Sequence, residues 1–122
     1  MVRFKTAEIT IISGTFKSDR GIFSKQDAYA RIKYNGKVFK TKVIKGAGQH
    51  SVWNEKFVIN RILPKQYFTF SALGKNIIAD DFIGESEALD VTQLELGHFQ
   101  QEIPIYDKYK KKQGHILVAL HL

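Results

Sequence analysis

The sequence predicts an all-β protein of the sandwich or barrel class, and three observations predict it. Short runs rich in β-branched and aromatic residues recur along the chain, turn formers separate them, and within several runs apolar and polar residues alternate with period two. The runs are "EITIIS" (8–13), "AYARIKY" (28–34), "KVFKTKVI" (37–44), "WNEKFVI" (53–59), "YFTFSAL" (67–73), "FIGESEAL" (82–89), "QEIPIY" (101–106) and "HILVALHL" (115–122). Only "DVTQLELGHFQQ" (90–101) leaves room for a helical turn or two, with Asp90 or Thr92 placed to cap it.

The second and third runs can be set in register. Asn35-Gly36 is the favoured pair for a two-residue type I′ turn, because both positions need positive φ, and that turn sets Tyr34 opposite Lys37. Counting back pairs Ile32 with Phe39, Ala30 with Thr41 and Ala28 with Val43, a buried face. The opposite face then carries Lys33 across from Val38, Arg31 across from Lys40 and Tyr29 across from Lys42. Like charges directly opposite cost roughly 0.2 to 1 kcal/mol, so the cations weaken the sheet slightly. Either they form an ordinary solvated face, long stems covering apolar surface, or they are kept for an anion.

In the fifth run Phe68, Phe70 and Ala72 share one face, and in the last Ile116, Val118, Leu120 and Leu122 do. These are the expected core. Trp53 is expected there too, rather than on a stacking platform. Pro64 and Pro104 fall where a loop and a strand start or edge tolerate them.

At 122 residues and 43% hydrophobic composition, the chain (1–122) is expected to form one packed domain. Nine Phe, five Tyr and one Trp, with 25% charged residues, exclude a disordered chain. A formal net charge of +7 favours anionic partners: phosphorylated lipid, acidic protein or nucleic acid. There is no cysteine, which suits a cytoplasmic protein, and "MVRFKTAEITIISG" is too short and too interrupted for a signal peptide or a membrane span. Catalysis has no support. His50, His98, His115 and His121 make no metal spacing, "GAGQHS" (46–51) is no phosphate loop, and there is no G-x-S-x-G elbow.

Three blocks, "SKQDAYARIKYNGKVFKTKVIKGAGQHSVWNEKFVI" (24–59), "DDFIGESEALDV" (80–91) and "GHILVALHL" (114–122), resemble a C2 domain in order and spacing over nearly the whole chain. They match that family's Asp-Pro-Tyr-Val strand, lysine-rich strand, Trp-Asn-Glu turn, Asp-Asp-x-Ile-Gly-Glu turn and closing strand. The resemblance implies an eight-stranded antiparallel β-sandwich of Greek-key connectivity, in the permuted order known as type II. It also implies a question about calcium, because many members hold Ca²⁺ between two loops with about five aspartates supplying oxygen and charge.

Asp27 matches the first-loop aspartate, with Ala28 in place of proline, but its partner position is Gly21; Asp19 serves only if the loop carries an insertion. In the third loop Asp81 matches and Asp80 sits beside it, while the expected aspartate pair is replaced by Leu73 and Lys75. The resemblance thus implies weak or absent calcium binding and no other cofactor.

A second implied site is a phosphoinositide groove on the concave face, and Tyr29, Arg31, Lys40 and Lys42 match it, with Lys33 on the same face. Ile22 and Phe23 in one loop, and Ile77 and Ile78 in another, either enter a bilayer or fold back onto the sandwich. The lysines of "DKYKKKQG" (107–114) add to any membrane field. The expected function is peripheral, cytoplasmic binding of anionic membrane lipid, largely without calcium; the alternative is an interaction module for an acidic protein. Nucleic acid is disfavoured, since Tyr29 is the one stacking ring in the groove.

Overall fold

The computed structural model describes residues 5–17, 27–46, 49–62, 66–90 and 98–121. Its elements are β1 (Lys5–Phe16), β2 (Ala28–Tyr34), β3 (Lys37–Lys40), β4 (His50–Ile62), β5 (Phe68–Gly74), β6 (Asp81–Glu85), β7 (His98–Tyr106) and β8 (Lys112–His121). All pairings are antiparallel, in the order β3-β2-β5-β6-β7-β8-β1-β4. The eight strands expected from alternation are therefore present. Of the segment with room for a helix, 98–101 belongs to β7, and 91–97 lies outside the described residues.

The order is continuous, yet the link between β6 and β7 is a single pair, Glu85 with Tyr106. On either side of that seam lie two four-stranded halves, β3-β2-β5-β6 and β7-β8-β1-β4. They fold onto each other: Phe39 of β3 and Phe57 of β4, at opposite ends of the order, bring their rings to 6.1 Å, and Trp53 Nε1 donates to the Ala28 carbonyl at 3.2 Å. The weak seam also accommodates Pro104, which pairs with His115 of β8 where β6 gives β7 no partner.

The core lies between the halves. The faces expected from alternation, Ala28, Ala30 and Ile32, Phe68, Phe70 and Ala72, and Ile116, Val118 and Leu120, are buried, together with Ile9, Ile11 and Ile105. Leu122 lies outside the described residues. Tyr34 stacks on Phe68 with centroids 4.4 Å apart. Truncating a ring buried like Phe70 to alanine costs about 3 to 5 kcal/mol.

One bulge matters for packing. Between the pairs Ile11–Glu55 and Ser13–Val52, β4 carries two residues against one on β1, and Asn54 takes φ 50° to absorb the extra residue. Trp53 is thereby turned into the core.

Candidate functional site

The hairpin at 28–43 forms from its turn outward. Asn35 and Gly36 adopt φ 50° and 77°, and the pairs Tyr34–Lys37, Lys33–Val38, Ile32–Phe39 and Arg31–Lys40 follow in the register that the turn dictates. Ala30 still pairs with Thr41, whose N–H donates to the Ala30 carbonyl at 2.9 Å, but beyond Thr41 the expected register fails. The Ala30 N–H donates to the Thr41 hydroxyl at 2.9 Å instead of to a carbonyl, that hydroxyl donates to the Lys42 carbonyl at 3.0 Å, and Ala28 bridges Ile44 rather than Val43. A side-chain hydroxyl competing with the ladder has inserted one residue. Lys42 and Val43 accordingly lie together against Tyr29, and the Lys42 backbone N–H donates to Glu55 Oε2 at 2.6 Å.

Tyr29 also departs from its expected place as an open groove wall. It is 5% exposed, and its hydroxyl donates to Asp80 Oδ2 at 2.5 Å. Burial first, then the hydrogen bond to Asp80 and that residue's charge, push the phenol up to about 12. The same bond holds the Asp80 carboxyl below the usual range, helped by the Asn76 N–H and the charges of Lys75 and Lys40. Tyr29 thus ties the β5–β6 loop to the concave face.

Further along this face Lys33 Nζ lies 3.4 Å from Glu85 Oε2, which also accepts from the Ser71 hydroxyl at 2.8 Å. Arg31 stands between Lys40 on β3 and Ser71 on β5, and its Nε is buried without an acceptor among the described residues. Of the five groove residues expected from sequence, Arg31 and Lys40 face each other across the hairpin, Lys33 lies 3.4 Å from Glu85, Tyr29 is buried against Asp80, and Lys42 shares its place against Tyr29 with Val43.

The other expected site lies at one end of the sandwich. Pairings of Ala28 with Gly74 and of Gly74 with Asp81, the bridge of Ala28 to Ile44, and bonds from Phe16 N to Gln49 O and from Lys17 N to Gln113 O gather four connections there. They are the β1–β2, β3–β4, β5–β6 and β7–β8 connections. Ile77 and Ile78, at the tip of β5–β6, are 104% and 98% exposed, so they do not fold back onto the core. Ile22, Phe23 and Asp19 lie outside the described residues.

Two of the carboxylates at this end, Asp27 and Asp80, are engaged by the protein's own donors. Asp27 Oδ1 accepts from the Gly46 N–H at 2.7 Å, and Asp80 accepts from Tyr29 and from the Asn76 N–H at 3.2 Å. Lys75 Nζ stands 3.8 Å from Asp80 Oδ1, the ammonium that its position in the sequence implied. Asp81 opens β6, exposed. Among the described residues no three metal-binding side chains cluster, and Asp27 and Asp80 already accept from the protein's own donors.

The β7–β8 turn borders the same end: Phe82 at the start of β6 lines an open cleft together with Asp107, Lys108 and Lys110. Asp107 builds this turn. Its Oδ1 accepts from the N–H groups of Tyr109 and Lys111 at 2.8 and 3.0 Å and its Oδ2 from Gln113 Nε2 at 2.9 Å, which holds the carboxyl below its usual range, the Lys111 N–H contributing most. Lys110 takes φ 67°. Lys108, Lys110, Lys111 and Lys112 are left in water, with Tyr109 71% exposed and 5.1 Å from Lys108 Nζ. Sequence reasoning missed Tyr109, though an aromatic inside a lysine run was the available signal.

Residues 5–103 match the C2 domain family model. The chain is 31% identical over 84 residues to Extended synaptotagmin-1 of Mus musculus, covering 68% of this chain and 8% of that protein. It is 29% identical over 96 residues to 16 kDa phloem protein 1 of Arabidopsis thaliana, covering 74% of this chain and 62% of the relative. The chain thus spans less than two thirds of either. In fold it is similar to a C2 domain of plant Extended Synaptotagmin 1, with a TM-score of 0.75 at 18% identity, covering 95% of this chain and 92% of that one. No helix among the described residues is long and apolar enough to cross a membrane.

Proposed function

We propose that this chain, which belongs to the C2 domain family, is a non-catalytic module that docks on anionic membranes by its loop end, largely without calcium. The observation that carries the reading is the pair Ile77 and Ile78, 104% and 98% exposed at the same end of the sandwich as the run that holds Lys108, Lys110, Lys111 and Lys112 in water. Burying an isoleucine at the acyl boundary contributes up to about 1.5 to 3 kcal/mol, and each basic residue near an anionic surface about 1 kcal/mol. Together these reach an affinity on the order of micromolar. Tyr109 has the amphipathic character that favours the headgroup level.

Calcium is not needed for such docking, because Asp27 and Asp80 already have donors and Lys75 supplies positive charge beside Asp80. The concave face plays the second part. Arg31 and Lys40, which face each other across the hairpin, would receive a polyphosphorylated head group by charge-assisted hydrogen bonds.

Vesicle sedimentation tests the reading. With chelator present, phosphatidylserine vesicles should carry the protein down, and added phosphoinositide should increase the bound fraction. Binding that requires calcium, or that is equal on neutral vesicles, would contradict it.

A further inference from the structure

The outer edge of β3 presents main-chain groups in a basic setting. Thr41 N donates to Ala30 O at 2.9 Å, so 30 and 41 form a hydrogen-bonded pair. Antiparallel ladders alternate, which makes Ile32–Phe39 and Tyr34–Lys37 hydrogen-bonded pairs and leaves Lys33–Val38 and Arg31–Lys40 as the other kind. The N–H and C=O groups of Val38 and Lys40 therefore point away from β2. β3 is terminal in the strand order, so among the described residues no strand takes them. The next N–H of the same series, that of Lys42, points the same way, and what it holds is a carboxylate, Glu55 Oε2 at 2.6 Å.

The side chains around this edge are cationic and apolar. Lys37 and Lys40 are exposed, Val38 is 49% exposed, and a cavity of ≈ 300 Å³ beside Val38 is lined also by Lys33, Lys37, Tyr67 and Thr69. Lysines on an edge strand repel a second copy of a chain carrying +7, which blunts self-association. They do not repel an acidic strand.

We infer that the β3 edge receives an extended acidic peptide by strand addition. Four main-chain bonds form with Val38 and Lys40; on the concave face an apolar peptide residue lies beside Val38, and two residues along, an Asp or Glu lies beside Lys40. A ladder this short binds with an affinity on the order of 0.1 mM, suited to a tethered or repeated partner. Lys40 also belongs to the proposed lipid groove, so peptide and head group compete. The peptide site itself stands without any membrane.

The test is a lipid-free titration of ¹⁵N-labelled protein with a terminally blocked peptide alternating valine and glutamate, and with its twin N-methylated at alternate residues. The Val38 and Lys40 amide signals should shift together, and the N-methylated twin should bind at least about tenfold more weakly. Val38→Pro removes one outward N–H without touching a bond to β2, and should weaken the peptide about tenfold while vesicle binding holds. If that variant does not fold, Lys40→Glu serves: it should lose the valine–glutamate peptide and gain a valine–lysine one. Equal binding of the N-methylated twin, shifts confined to residues away from β3, or no binding up to about 1 mM at low salt would each overturn the inference.

Discussion

At the loop end, Asp27 and Asp107 are taken up by backbone N–H groups of the connections, while the apolar and basic side chains are left in water. On the concave face of β2 and β3 the reverse holds: Glu85 and Asp80 turn toward the cations and tyrosine of the sheet, so much of the charge seen in the sequence is met internally. Asp107 illustrates the first pattern, holding two N–H groups and an amide so that the lysines beside it face outward. The difference teaches that a count of lysines does not locate a docking surface. What counts is which acids have been claimed elsewhere.

The largest expected effect comes from the loop tip. Ile77→Asp with Ile78→Asp removes about 3 to 6 kcal/mol of apolar insertion and should lower vesicle affinity more than a hundredfold in sedimentation, with the melting temperature unchanged because neither side chain packs on the core. Next is the basic turn. Lys110→Ala with Lys111→Ala should weaken binding by about 30-fold on anionic vesicles, about 2 kcal/mol, with the loss shrinking as salt rises.

The tie between the two regions is tested by pH. Because Tyr29 is raised in the folded protein to about 12, its neutral form contributes stability that is complete below about pH 10 and is lost as pH rises toward 12. Ultraviolet titration should show a phenol ionising late, absent in Tyr29→Phe. Asp80 is lowered, so its contribution is present above the ordinary aspartate range near pH 4 and is lost as pH falls through the folded value. Tyr29→Phe should therefore flatten the acid limb of the stability curve. The smallest effect belongs to Lys40→Ala, which relieves the repulsion with Arg31 and should raise stability by about 0.2 to 1 kcal/mol in denaturant melts, while reducing the preference for phosphoinositide.

Much of the fold could be read from the residues because it rests on two local rules. Alternation set the buried faces of β2, β5 and β8, and Asn35-Gly36 set four cross-strand pairs. The candidate site was less legible. Thr41 displaced the register through a hydroxyl that competes with a backbone carbonyl, an effect invisible to periodicity. Tyr29 and Asp80 are 51 residues apart in sequence, so their bond depends on how the loop closes over the sheet. Lys33 keeps the face predicted for it, but Glu85, from a strand two places away in the order, offsets its charge. Ile77 and Ile78 could be located from sequence, whereas their choice between water and core could not.

The chain has no cysteine, so Ile78→Cys carries a single nitroxide label without further change. Its depth on phosphatidylserine and phosphoinositide vesicles, read by collision with oxygen and with a water-soluble nickel complex in the presence of chelator, bears most directly on docking by the loop end. The label is predicted to move below the headgroups, shielded from nickel and reached by oxygen. A label that stays in water while the protein is bound, or that sinks only when calcium is added, would contradict the account.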